Sequence, residues 1–241
     1  MQRLGFIGTG TITAAMVRGL KESTLKEWPI VLSPRNAGLA AELAASLPGV
    51  TVGASNQDVL DRSDMVFLAI RPQDAEAVIR PLNFNARHSI VSLVAALGID
   101  TIRNWTGVSA VTRAIPLTFV EQRKGVTPIM PPNAAVAEIF KALGECIQVS
   151  DLGAFNGYSA VSALMGTYFG ITEAAQKWLV ANGLEAKDAE LSLRNLFSSL
   201  GDVLRASPLS LGELRTAYST RGGLNELAHE SFMSHGGGTA L

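Results

Sequence analysis

The 241-residue chain has one cysteine, Cys146, and three histidines, His88, His229 and His235. A single thiol excludes an internal disulfide and a cysteine-rich metal site, and no histidine sits in the spacing that a triad or a metal needs. No metal is therefore expected, and the histidines read as surface or helix-end residues. Cys146, in the alternating stretch Cys146-Ile147-Gln148-Val149, reads as core. Charge of one sign is also missing: the net charge is −1 and no basic block occurs. Nucleic acid and anionic membrane surfaces are poor partners for such a chain. There is no run of about 18 apolar residues and no basic start leading into a long apolar stretch. These absences predict a cytoplasmic protein with a small-molecule ligand.

What is present begins at once. The apolar strand Arg3-Leu4-Gly5-Phe6-Ile7 runs into Gly8-Thr9-Gly10-Thr11-Ile12-Thr13 and then into a helix with apolar periodicity. Glycine at Gly8 permits the tight strand-to-helix turn, and Gly10 lets the backbone approach a phosphate held on free N–H groups at the positive helix end. Thr13 stands where a third Gly or Ala is usual, so the motif draws its weight from its strand-turn-helix context.

A further absence bears on which dinucleotide. The second strand, Ile30-Val31-Leu32, ends in Ser33-Pro34-Arg35-Asn36, without the carboxylate that binds a ribose 2′-hydroxyl in NAD sites. Ser33, Arg35 and Asn36 can each donate to a 2′-phosphate, Arg35 bidentately, which points to NADP(H). The alternative is a surface turn in which Ser33 or Asn36 caps the next helix.

Strands and helices alternate through the first part, with strands read at 4–7, 30–32, 50–52, 65–70, 90–93, 110–112, 126–129 and 146–149. This predicts a parallel sheet covered by helices, the last two strands extending it. From about Asp151 the alternation gives way to three- and four-residue spacing, with helices read at 155–182, 186–206, 209–219 and 223–234. The expected architecture is α/β, with an N-terminal Rossmann-type dinucleotide-binding domain over 1–150 followed by an all-α dimerisation domain over 151–241. The helix at 155–182 is apolar nearly all round, through Ala163, Leu164, Met165, Tyr168, Phe169 and Ile171, and needs cover on more than one face. An intertwined homodimer or larger homo-oligomer would supply it. The tail Gly236-Gly237-Gly238 reads as loose.

These residues resemble the pyrroline-5-carboxylate reductase family along the whole chain. The opening strand and glycine turn look like the family's start. Asn56, Asp58, Ser63-Asp64 and Val66-Phe67-Leu68-Ala69-Ile70-Arg71-Pro72-Gln73 are similar to its N…SD–A-V-K-P-Q run. The resemblance implies that Asn56, Ala69, Ile70, Arg71 and Pro72 line the dinucleotide together with Gly8, Thr9, Gly10, Thr11 and Ile12. Leu93-Val94-Ala95-Ala96 looks like the family's S-hydrophobic-A-G edge, which places Ala95 against the nicotinamide. Val111 to Thr118 and Gly125-Val126-Thr127 follow its R-x-M-P-N-T-P…G-V-T pattern, with Leu117 and Phe119 as departures. Ser219-Thr220-Arg221-Gly222-Gly223-Leu224-Asn225 resembles its T-S-P-G-G-T-T loop. That likeness implies an anionic substrate held by Ser219, Thr220, Gly222, Gly223, Leu224 and Asn225, with Thr220 and Asn225 as the catalytic candidates. Backbone N–H groups at a helix start favour an anion on physical grounds as well.

What the resemblance implies for activity is NADPH-dependent reduction of a cyclic imine, pyrroline-5-carboxylate to proline, within proline and amino-acid biosynthesis. One segment departs: Ser162-Ala163-Leu164-Met165-Gly166-Thr167 stands where the family writes G-S-G-P-A-Y. A related imine or a 2-keto acid as substrate, or a non-catalytic NADP(H)-binding sensor, are the alternatives that this departure opens. A β-hydroxyacid dehydrogenase is a further rival, but its lysine and its asparagine a turn later are poorly met by Lys177 and Asn182, which lie off one face.

Overall fold

The computed structural model describes residues 1–240, which form two compact units, one over Met1–Leu164 and one from Met165 onward. In the first, eight strands build one sheet: β1 (Leu4–Ile7), β2 (Ile30–Leu32), β3 (Val50–Val52), β4 (Met65–Leu68), β5 (Ser89–Ser92), β6 (Val111–Ala114), β7 (Gly125–Met130) and β8 (Gly144–Gln148). Their order is β3-β2-β1-β4-β5-β6-β7-β8. All neighbours are parallel except β6 and β7, so the last two strands do extend the sheet, but after one reversal. The chain winds outward from β1 to β3, returns to β4 and winds the other way. The crevice between β1 and β4 is thus the topological switch point, where open α/β sheets bind ligands beyond their strand C-termini.

Both faces are buried, as parallel strands require. On one face α1 (Thr11–Lys21), α2 (Ala37–Ser46) and α6 (Ala134–Ala142) cover Leu4, Phe6, Leu32 and Phe67. Phe67 stacks on Phe6 at 4.6 Å and meets Phe140 of α6 edge-on. On the other face α3 (Asn56–Asp61), α4 (Pro72–Ile79) and α5 (Ile99–Thr106) cover Ile7, Val66, Leu68 and Ile90. Arg3 at the start of β1 donates to Asp64 before β4, and that hydrogen-bonded pairing holds the Asp64 carboxyl down at about 2. Cys146 is only partly buried, against the first of these cores.

Two readings need correction here. His88 is no surface residue: it is buried at the start of β5, where Nδ1 accepts from the Asn85 N–H at 3.0 Å and Nε2 lies 3.2 Å from the Leu60 carbonyl. The ring is therefore neutral, with its proton on Nε2. Burial lowers its pKa from the ordinary 6.5, against the opposing pull of the Leu60 hydrogen bond. Because the unfolded ring binds a proton more readily, stability is unaffected above pH 6.5 and falls as pH drops below it. The slope is at most about 1.4 kcal/mol per pH unit. Urea denaturation between pH 7.5 and 5 should show this decline, and His88→Gln should flatten it.

The second correction concerns the long helix, which is two: α7 (Leu152–Ser162) and α8 (Leu164–Ala181). Asp151 caps α7 through the Ala154 N–H. At its far end the Ser162 hydroxyl donates to the Ser159 carbonyl and the Ala163 N–H to Ala160, a tightening that ends the helix. Phe155 of α7 is fully buried with Met130 and Val149, and Arg113 lies 4.8 Å over its ring. This contact holds α7 in the first unit, beyond the boundary at 150 expected from periodicity.

The second unit contains α9 (Ala186–Ala206), α10 (Leu211–Ala217), α11 (Leu224–Ser234) and α12 (Gly237–Ala240). Ser210 and Glu213 cap α10 reciprocally. The tail expected to be loose carries the helical turn α12. None of α8 is buried; Phe169 and Trp178 are 65% and 64% exposed. Among the described residues no helix is long and apolar enough to cross a membrane.

Candidate functional site

At the switch point lies a cleft of about 360 Å³ lined by Gly8, Thr9, Gly10, Arg35, Asn36, Ala69, Ile70, Arg71 and Asp74. It gathers eight of the residues expected there from three separate strand ends. Gly8 has φ of +102°, and a Cβ there would stand 2.2 Å from the Ala69 carbonyl oxygen. The β1 and β4 ends approach this closely only because the residue is glycine. Gly10, the N-cap of α1, is in extended conformation, and a Cβ on it would meet no protein atom within 4 Å. The space over Gly10 is open toward the cleft.

Helix α1 begins with no side-chain cap and no acidic residue in its first turn. Its leading N–H groups thus have no intrahelical acceptor and no competing carboxylate, which is the chemistry of an anion site. Thr11 is exposed on that turn, and Ile12 packs toward the core. The donor set fits a dinucleotide: backbone N–H groups for the pyrophosphate, with Arg35 and the Asn36 amide at the β2 end. Asn36 is the N-cap of α2 but makes no side-chain capping bond, which leaves its amide free.

Ser33 has a different job from the one expected. It is fully buried; its hydroxyl accepts from the Gly8 N–H at 2.9 Å and lies 3.2 Å from the Thr9 hydroxyl, which itself donates to the Ser33 carbonyl. The side chain ties the glycine turn to β2, and is not available to a 2′-phosphate. Thr13, in the third-glycine position, donates to the Gly8 carbonyl at 2.7 Å, fixing the same turn.

Arg71 caps α4 with Pro72 at its first position, and both follow β4 as expected. Asn56 opens α3 behind the Ser55 cap, and Ala95 is exposed beyond β5; neither lines this cleft. Ala96, beside it, has φ of +59°, the left-handed region that favours glycine. For a residue with a Cβ this conformation costs about 1 kcal/mol. Ala96→Gly should raise stability by about that amount in denaturant titrations, and an unchanged midpoint would contradict the strain.

Asp74 is the cleft residue that sequence reasoning missed. Its Oδ2 accepts from Arg71 Nε at 3.0 Å and Nη2 at 2.9 Å, and lies 3.6 Å from Arg35 Nη2. The i,i+3 spacing of Arg71 and Asp74 was a visible signal. Pairing with Arg35, which comes from another strand end, was not.

The second candidate region is a recess of about 210 Å³ lined by Thr220, Gly223, Leu224 and Asn225 at the start of α11. Gly222 takes φ of +71°, and the Gly223 N–H bonds back to the Thr220 carbonyl, forming the turn. Some of the expected donors are engaged internally. The Gly222 N–H donates to Glu226 at 2.6 Å and the Asn225 amide to the Tyr218 carbonyl at 2.7 Å. The leading N–H groups of α11 remain, with the side chains of Ser219 and Thr220 on the same turn. Lys177, the dehydrogenase rival's acid–base candidate, is exposed and paired with Glu173, and the Asn182 amide donates to Trp178.

The sheet order, the glycine turn and the cleft at the switch point define a dinucleotide-binding α/β protein. Residues 3–96 match the family described as NADP oxidoreductase coenzyme F420-dependent. Pyrroline-5-carboxylate reductase of Pseudomonas aeruginosa is 27% identical over 252 residues, covering 97% of this chain and 89% of that protein. Among solved structures, 1-pyrroline-5-carboxylate reductase from Streptococcus pyogenes superposes with a TM-score of 0.79 at 23% identity, over 98% of this chain and 92% of that one. Pyrroline carboxylate reductase of Plasmodium falciparum, solved with NADP bound, gives 0.78 at 17%, over 99% and 92%. The chain is similar to pyrroline-5-carboxylate reductases over nearly its whole length.

Proposed function

We propose that the chain is an NADPH-dependent reductase of a cyclic imine, pyrroline-5-carboxylate being the first substrate to test. The observation that carries this reading is the open, uncapped glycine turn at the switch point, with Arg35 and Asn36 in place of a carboxylate at the β2 end. Support comes from curated reductases of that name that align over nearly the whole chain.

When bound, reduced nicotinamide supplies a hydride. Reduction of a protonated imine would ask little acid–base chemistry of the protein, because the imine nitrogen already carries its proton. The chain's work is positioning. The turn at Gly8 and Gly10 and the first N–H groups of α1 hold the pyrophosphate. Arg35 and Asn36 meet the adenosine ribose, and Ala69, Ile70, Arg71 and Pro72 bound the far wall. In the second unit the hydroxyls of Ser219 and Thr220 and the leading N–H groups of α11, at Leu224 and Asn225, receive an anionic group, and Gly222 and Gly223 shape the turn that presents them.

Stopped-flow oxidation of NADPH with pyrroline-5-carboxylate, other cyclic imines and 2-keto acids tests this. Fastest turnover is expected with pyrroline-5-carboxylate. Tight NADPH binding without turnover of any of them would assign a sensor instead.

The proposal extends to a homodimer or larger assembly. Helix α8 exposes Leu164, Tyr168, Phe169, Ile171 and Trp178, and α9 exposes Leu191, Leu196 and Leu204. An apolar surface on this scale marks an interaction site on a soluble protein. Light scattering at micromolar concentration should give at least twice the chain mass of 25.4 kDa. A monomeric mass would contradict the proposal.

A further inference from the structure

We propose that Asp74 sets the cofactor selectivity of the cleft by competing, as an internal carboxylate, with a ribose 2′-phosphate for Arg35 and Arg71; the inference rests on the dinucleotide reading of that cleft. One oxygen, Asp74 Oδ2, faces both guanidinium groups, one from the end of β2 and one from the end of β4. All three side chains line the same cleft.

Two effects of the carboxylate on a phosphate oppose each other. By hydrogen bonding it holds the arginines in place, which favours binding. By its charge it neutralises one of them and repels a group that carries nearly two negative charges. The arginine side chains are 59% and 68% exposed, so each pairing is a surface ion pair that orders its partners weakly. Repulsion of a dianion from the same small cleft is the larger effect. Asp74 also cannot withdraw freely: it lies in the first turn of α4 behind Pro72, where the helix dipole favours a carboxylate. Toward an unphosphorylated ribose its effect reverses, since a carboxylate accepts from a 2′-hydroxyl. The residue thus lowers preference for the phosphorylated cofactor and keeps the cleft open to both forms.

Calorimetric titration of the full chain with 2′,5′-ADP and with 5′-AMP, at low and at high salt, tests this without turnover. Asp74→Asn removes the charge and keeps an acceptor for the arginines. It is expected to tighten 2′,5′-ADP by about tenfold at low salt, with most of the gain lost at high salt, and to leave 5′-AMP equal or weaker. Asp74→Ala should tighten 2′,5′-ADP less, because it also frees the arginines, and it serves if the asparagine variant folds poorly. Weaker 2′,5′-ADP binding by Asp74→Asn, or an equal change for both ligands, would overturn the proposal. Failure of the unsubstituted protein to bind either ligand would remove the dinucleotide reading itself, and the proposal with it.

Discussion

Gly10→Val should leave the protein folded and nearly abolish binding of a dinucleotide. No protein atom lies within 4 Å of a Cβ built on Gly10, and the extended backbone there suits any residue. The stability cost is then the difference between glycine and valine at an N-cap, about 1 kcal/mol. The added side chain fills the open space over the first turn of α1, where an anion would need to reach the N–H groups. A loss of about 100-fold in affinity is expected, or roughly 2.8 kcal/mol. Calorimetry and a thermal melt on one sample check both halves. Retained affinity would mean that the phosphates do not sit over Gly10.

Gly8→Ala, two residues away, should do the reverse and damage the fold first. The backbone at Gly8 has φ of +102°, and the new Cβ would stand 2.2 Å from the Ala69 carbonyl oxygen, a backbone atom that cannot rotate aside. Strain at a positive φ and the clash together should cost about 3 kcal/mol or more. For a chain of this size that is a fall in Tm of about 10 °C. A normal melt would show that β1 and β4 can part at no cost, and with it would go the claim that the turn is built by their close approach.

The contrast between the two glycines separates what was legible in the sequence from what was not. That a strand, a glycine turn and a periodic helix open the chain is a local pattern, and β1, Gly8 to Ile12 and α1 stand as read. The gathering of Arg35, Asn36, Ala69, Ile70 and Arg71 at one crevice follows from alternation plus the rule for parallel sheets, and was legible too. Ser33 was not, because a hydroxyl at a strand end looks the same whether it faces ligand or, as here, the Gly8 N–H. Nor was the burial of His88, which depends on Leu60, 28 residues away. The break after Ser162 escaped because apolar spacing runs through it unchanged, and only hydrogen bonding marks the end of α7. Asp74 was hidden for a related reason: one of its two cationic partners sits on the end of another strand.

The cleft's chemistry depends on few atoms, and it can be tested directly. Titration of the full chain with NADPH, followed by calorimetry, should give saturable binding at a single site per chain, strongly weakened in Gly10→Val. No heat of binding with either NADPH or NADP at high micromolar protein would contradict the account at its root.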